Sequence, residues 1–149
     1  MERLVQVRLF AKDDLAAVVA IQRSSPEAAQ WSAADYARVA RGDLQGWVAE
    51  AGSHVVGFLV ARRMADELEI LNLAVGPAAR RLGVGSLLLR EALAAAQRSG
   101  ARSAFLEMRE SNPAAMAFYA RHAFAVSGRR ARYYSRPEED ALVLSRTLA

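Results

Sequence analysis

A strand-to-helix turn in the middle of the chain carries the first residues able to do chemistry. In Arg80-Arg81-Leu82-Gly83-Val84-Gly85-Ser86, two glycines lie one residue apart at the start of a helix, beside two adjacent arginines. Backbone N–H groups at a glycine-rich helix start point outward and form a nest for anions. Glycine lets a ligand approach the backbone because no Cβ intervenes, and arginine adds a fork of donors suited to phosphate. A pyrophosphate is the natural guest. The Walker pattern GxxxxGK(S/T) is not met, since no lysine follows the glycines. A dinucleotide fingerprint is not met either: Leu88 stands where its third glycine belongs, and the glycines lie several residues past the strand that ends at Val75. Nucleoside triphosphates and NAD are therefore disfavoured. The alternative is a plain loop with two permissive glycines.

A second group follows downstream. Glu107 sits in a strand otherwise made of Ala104, Phe105, Leu106 and Met108. A carboxylate in apolar surroundings has a raised pKa, which suits a general base near neutrality. The competing reading pairs it with Arg109, two residues on and on the same face. Tyr119 lies in a helical stripe with Ala115, Phe118 and His122, where an aromatic is ordinarily core. Asn112 precedes Pro113, the signature of an N-cap followed by proline at the first helical position. Asn72, polar in an apolar strand, predicts a bulge or a strand separation. His54 and His122 lie far apart with no metal-ligand spacing and read as structural. The chain has no cysteine, which excludes disulfides, thiolate metal sites and a Cys nucleophile.

The elements that must position these groups alternate along the chain. Val5–Phe10 alternates as a strand. Asp13 or Asp14 caps a helix running to about Ser24, and Ser32 with Asp35 forms a capping-box-like start for a helix over Trp31–Arg41. Gly46–Met64 reads as a hairpin turning at Ala51-Gly52-Ser53, and Glu67–Val75 as a central strand. A helix over Ser86–Ser99, with Leu89, Leu93 and Ala96 on its apolar face, leads to the strand Ser103–Arg109. The Asn112 helix runs to about His122, a short strand is possible between Ala125 and Arg132, and Ala141–Leu148 closes as a strand. The mixed-charge segment Arg129–Asp140 reads as a loop. The fold class is α/β, with a mixed and mostly antiparallel sheet, flanking helices and a central parallel pair joined by a right-handed crossover.

Composition bounds the answer. The 149 residues fit one domain, spanning 1–149, and 53% are hydrophobic, enough for a core. No apolar run approaches the roughly 18 residues of a membrane span, and the N-terminus lacks the apolar region of a signal peptide. The expected home is the cytosol, with no membrane partner. The net charge of +4 is almost all arginine, with Lys12 the only lysine. Charge this modest does not predict nucleic-acid binding.

The turn is more specific than its glycines. Arg80-x-x-Gly83-x-Gly85 matches the (Q/R)xxGx(G/A) pattern of the GNAT acetyltransferases, whose loop and helix start hold the pyrophosphate of acetyl-CoA. "WS", "LNLAV", "RRLGVGSLLL", "FLEMRESNPAAMAFY" and "RYYSRPEEDALVL" come in the order and spacing of the RimI-type protein N-terminal acetyltransferases. The chain resembles that branch over nearly its whole length, most weakly at its start.

The resemblance implies a GNAT fold, acetyl-CoA as co-substrate and a protein N-terminus as acceptor, the N-terminal alanine of a small-subunit ribosomal protein. It implies Glu107 as proton acceptor acting through water and Tyr119 as the acid that protonates the departing thiolate. It places Arg80, Arg81, Leu82, Gly83, Val84, Gly85 and Ser86 at the pyrophosphate, Leu73, Ala74 and Val75 along the acyl arm, and Asn112 at the cofactor. Trp31 on one wall, and Tyr133 and Tyr134 with Glu139 or Asp140 near them on the other, would flank the incoming peptide. A peptide α-amine has a pKa near 7.7–8.0 and a lysine about 10.4, so a modest base suits α-amines better. Two positions depart from the family pattern. Ala123 replaces the glycine that usually follows the Tyr119 helix, which predicts a changed helix end, and Gly76 stands where an acidic residue is common. Other readings are a lysine or small-molecule amine acetyltransferase of the same fold, a non-catalytic acyl-CoA-binding regulator, and, last, an RNA-binding module using Arg129–Arg136.

Overall fold

Alternating burial along the strands sorts the core onto two faces of one sheet. The computed structural model describes residues 4–148. In chain order the elements are β1 (Val5–Leu9), α1 (Leu15–Arg23), α2 (Ala33–Ala40), β2 (Gln45–Ala51), β3 (His54–Met64), β4 (Glu67–Val75), α3 (Val84–Arg98), β5 (Ser103–Arg109), α4 (Pro113–Arg121), β6 (Ala125–Ser135) and β7 (Glu138–Thr147). The seven strands lie in the order β1-β2-β3-β4-β5-β7-β6. Every pairing is antiparallel except β4–β5, which the α3 crossover makes parallel. No helix among the described residues is long and apolar enough to cross a membrane.

On one face, Trp47, Ala49, Leu59 and Ala61 pack against Leu88, Leu89, Ala92, Leu93 and Ala96 of α3 and against Tyr119. On the other, Val48, Phe58 and Val60 pack under Val18 and Ile21 of α1 and Tyr36 and Val39 of α2. The alternation is what a two-sided sheet requires. Gly57 lets α3 sit close, since a Cβ there would meet Val84 at 3.1 Å, the Ala74 carbonyl at 3.2 Å and Leu88 at 3.2 Å.

The bulge anticipated at Asn72 is present. Val60 pairs with Asn72 and Ala61 with Ile70, so β4 carries one extra residue. Leu68 and Ile70 belong to the α3-side core, and beyond the bulge Leu73 and Val75 pack against that core while Leu71 packs on the α1–α2 side. The extra residue shifts the parity of the strand.

The caps follow the sequence with one exception. The Ser32 side chain accepts from the Asp35 N–H and the Asp35 carboxylate accepts from the Ser32 N–H, which starts α2. Asp14 does not cap α1 with its side chain. A 3-10 turn over Lys12–Asp14 precedes the helix, and the Asp14 carboxylate accepts from the Ala11 N–H at 2.7 Å and from Arg8. The Arg8 bonds first, then the Ala11 N–H, outweigh burial and hold the Asp14 carboxyl below the ordinary aspartate range.

Two expectations at the C-terminal end need correction. Arg129–Asp140 is not a loop: β6 runs through to Ser135, and β7 begins at Glu138. The strand suspected between Ala125 and Arg132 is thus longer, and its irregular pattern came from a bulge between Arg130 and Tyr134. Nor does Ala123 change the end of α4. The Phe124 N–H donates to the Tyr119 carbonyl at 3.0 Å and the Ala123 N–H to the Ala120 carbonyl at 3.1 Å, the paired bonds of a Schellman cap. Ala123 fills the left-handed position itself, at φ +65°.

Candidate active site

The parallel pairing of β4 and β5 covers only Glu67–Ile70 against Ser103–Leu106. Past that point the two strands have no partner in each other. Leu71–Val75 and Glu107–Arg109 become the two sides of an open cleft of about 1160 Å³. Glu107, Tyr119, Asn112, Trp31 and Tyr134 all line it, as do Leu73, Ala74, Val75 and Arg80.

Glu107 projects from the β5 face opposite buried Leu106 and Met108. Its side chain is 12% exposed, and Oε1 lies 2.8 Å from Nε of Arg130. The surroundings are therefore not the apolar ones the strand sequence suggested, and the partner is not Arg109. Arg109 donates to Glu139 at 3.1 Å and to the Pro137 carbonyl at 3.0 Å, and its guanidinium lies 4.3 Å from the centre of the Tyr134 ring. It holds the β6–β7 turn rather than the carboxylate of Glu107. Tyr133 is on the exposed bulge and does not line the cleft, yet its phenol pKa is raised first by a hydrogen bond to Glu107 and then by burial.

Tyr119 sits in the third-last helical position of α4, with its ring packed between Phe118 and Phe124. Burial alone pushes its phenol well above the ordinary value of about 10. The core reading of this residue holds, and the same residue also lines the cleft. Asn112 likewise caps α4, its Oδ1 accepting from the Ala115 N–H at 3.1 Å, and also lines the cleft.

At the glycine turn, Gly83 takes the left-handed conformation at φ +77° and no side chain caps α3. The first donor within the helix is the Leu87 N–H, to the Gly83 carbonyl. The N–H groups of Val84, Gly85 and Ser86 precede it and have no carbonyl in the helix to bind. A Cβ on Gly83 would meet nothing within 4 Å. Arg81 and Leu82 are exposed, while the Val84 side chain is buried, so Val84 offers only its backbone. The Ser86 hydroxyl is 2.8 Å from Nε2 of His122, which ties α3 to α4. Arg80 lines the cleft and is also engaged within the protein. Its guanidinium donates to the Val75 carbonyl at 3.1 Å, the Ser24 carbonyl at 2.8 Å and Ser25 Oγ at 3.2 Å. It joins the end of β4 to the end of α1.

Sequence reasoning missed one wall and anticipated another only as part of the longer segment Arg129–Asp140. The missed wall is the α1–α2 connection, Ser25–Gln30, whose small and polar residues carry no motif. The anticipated wall is Arg136–Pro137 at the β6–β7 turn, within that segment. Glu139 and Asp140 are engaged locally: Glu139 accepts from the Ser111 N–H and Arg109, and Asp140 from Arg129 and the Arg132 N–H. Among the described residues, no group of three or more His, Cys, Asp or Glu is placed to hold a metal.

The crystal structure of the ribosomal-protein-S18-alanine N-acetyltransferase from Escherichia coli superposes with a TM-score of 0.87 at 25% identity, covering 98% of this chain and 95% of that one. That of Ard1 from Thermoplasma volcanium gives 0.86 at 28% identity, covering 97% and 98%. The model of the acetyltransferase (GNAT) family matches residues 12–124, and the chain belongs to that family. Among curated relatives, the ribosomal protein bS18-alanine N-acetyltransferase of Salmonella typhimurium is 31% identical over 97 residues, 64% of this chain and 66% of that protein. Its Escherichia coli K12 counterpart is 31% identical over 93 residues, 61% of this chain and 63% of that protein. The matched region thus spans slightly under two thirds of these relatives.

Proposed function

We propose that this chain is a one-domain, cytosolic, acetyl-CoA-dependent Nα-acetyltransferase acting on protein N-termini. Its acceptor is the N-terminal alanine of a small-subunit ribosomal protein. The observation that carries the reading is that a carboxylate and a buried phenol, Glu107 and Tyr119, face one cleft where β4 and β5 part. The names of the relatives on both sequence and structure point the same way.

Acetyl-CoA supplies an activated thioester. The uncapped amides of Val84, Gly85 and Ser86 suit its pyrophosphate, with Arg81 beside them and Gly83 leaving the approach clear. The free edge of Leu73–Val75 offers backbone groups to the acyl arm, and Asn112 lies alongside. Trp31 and Tyr134 flank the acceptor. Arg130 yields its place to the incoming α-ammonium. Glu107 takes one proton from it through water, and the neutral amine then attacks the thioester carbon. As the C–S bond breaks, Tyr119 gives its proton to the departing sulfur, and the second proton leaves the new amide nitrogen and restores the Tyr119 phenol. The raised phenol pKa does not oppose this, because a thiolate forming in the same buried corner suffers the same desolvation.

The test is a short peptide with a free N-terminal alanine and an internal lysine, incubated with acetyl-CoA and the protein and read by mass spectrometry. Acetate is expected on the α-amine. Acetate on lysine alone would overturn the acceptor assignment, and tight acetyl-CoA binding with no transfer to any amine would overturn catalysis.

A further inference from the structure

The α1–α2 connection, which forms one wall of the cleft, is held by buried amides rather than by apolar packing alone. Gln22 grips its far end: Nε2 donates to the Trp31 carbonyl at 2.8 Å and Oε1 accepts from the Trp31 N–H at 3.0 Å. Asn72, 5% exposed, grips its middle. Oδ1 accepts from the Ala29 N–H at 3.2 Å, while Nδ2 donates to the Ala29 carbonyl at 3.1 Å and to the Tyr36 hydroxyl at 3.0 Å. Tyr36 in turn donates to Gln22 Oε1. One continuous network therefore runs from α1 through α2 to β4.

We propose that Asn72 is a positioning residue for the acceptor: its amide sets the register of the Ser25–Trp31 wall against the donor strand. This rests on the acetyltransferase reading above. The β4 bulge points the Asn72 side chain toward Tyr36 on the α1–α2 side of the sheet. The next residues along the strand, Leu73–Val75, form the edge assigned to the acyl arm. The path from wall to donor is thus one side chain long, Ala29 to Asn72 to Leu73. Reaction rates are steep in such distances, since about 1 Å of misplacement costs on the order of 10²-fold. A leucine of similar size would leave both Ala29 backbone groups without a partner and would remove one of the two bonds of the Tyr36 hydroxyl, which keeps Gln22. The wall would then turn those groups to water, and the acceptor would have to reorder it on binding.

The experiment compares wild type, Asn72→Leu and Tyr36→Phe. It measures the acceptor-peptide KM at saturating acetyl-CoA, acetyl-CoA affinity by calorimetry, and the unfolding midpoint. Asn72→Leu is expected to raise the peptide KM about tenfold while the acetyl-CoA Kd stays within about twofold. Tyr36→Phe, which keeps both Ala29 bonds, is expected to raise it less. Loss of folded protein alone would lower kcat and move neither constant. An unchanged peptide KM in both variants, or a Kd that moves in step with it, would overturn the positioning role while leaving the acetyltransferase reading intact. If Asn72→Leu does not fold, an unchanged peptide KM in Tyr36→Phe overturns it alone. Wild type that transfers acetate to no amine would overturn the reading and the proposal with it.

Discussion

Ala123 occupies a position that geometry assigns to glycine, and replacing it should make the protein more stable. The residue holds φ at +65° so that Phe124 and Ala123 can return their N–H groups to the end of α4. An L-residue in that conformation costs about 1–2 kcal/mol. Glycine removes the clash but adds freedom to the unfolded chain, which takes back about 0.4–1 kcal/mol. Ala123→Gly should therefore stabilise by about 0.5–1 kcal/mol, a rise in Tm of about 1–4 °C for a chain of this size. Thermal unfolding followed by circular dichroism, with urea titration at constant m, measures it. The cap also bears on the proposed acid, Tyr119. Its carbonyl acceptor is Tyr119 and its apolar contact is Phe124 on the Tyr119 ring, so the turn fixes the phenol. Because glycine keeps those bonds, kcat should not change. A variant that melts at the same temperature or lower would show that Ala123 is not strained there, and the argument would fail.

Two further outcomes follow from the same geometry. His122 is held below its ordinary pKa of 6.5 by burial and then by Arg90, Arg146 and Arg121. Between that ordinary value and the lower folded one, the unfolded chain binds more protons, so stability should fall as pH drops through this window and level off below it. In His122→Asn that slope between pH 7 and 5 should flatten; an unaltered pH profile of the unfolding midpoint contradicts the assignment. Gly57→Ala should destabilise by about 1–3 kcal/mol through overpacking, because the added Cβ meets a backbone carbonyl and two α3 side chains. A neutral Gly57→Ala in urea titration would mean that α3 does not sit as close to β3 as described.

Much of the fold was legible because its signals are local. Ser32 with Asp35 and Asn112 with Pro113 start helices by hydrogen bonds spanning three residues, and both appear as read. Asn72 betrayed the bulge because a polar residue in an apolar strand needs partners. The partners themselves, Ala29 and Tyr36, lie more than thirty positions away and could not be read from spacing. Glu107 shows the same limit. Its neighbours along the strand are apolar, but its nearest charge comes from Arg130 on β6, brought over by a pairing across β7. Arg80 matched a motif, yet its guanidinium is spent on backbone carbonyls, because the turn also has to join α1 to β4. The β6–β7 hairpin was hidden by its bulge, which breaks the alternation that marks a strand.

The central claim is that Glu107 removes the acceptor's proton in a cleft built between β4 and β5. Its most direct test is Glu107→Gln, which keeps the shape and removes the base. With the alanine peptide as acceptor, kcat/KM should fall on the order of 10²–10⁴-fold, while calorimetry shows acetyl-CoA binding unchanged. Full transferase activity in Glu107→Gln would contradict the account.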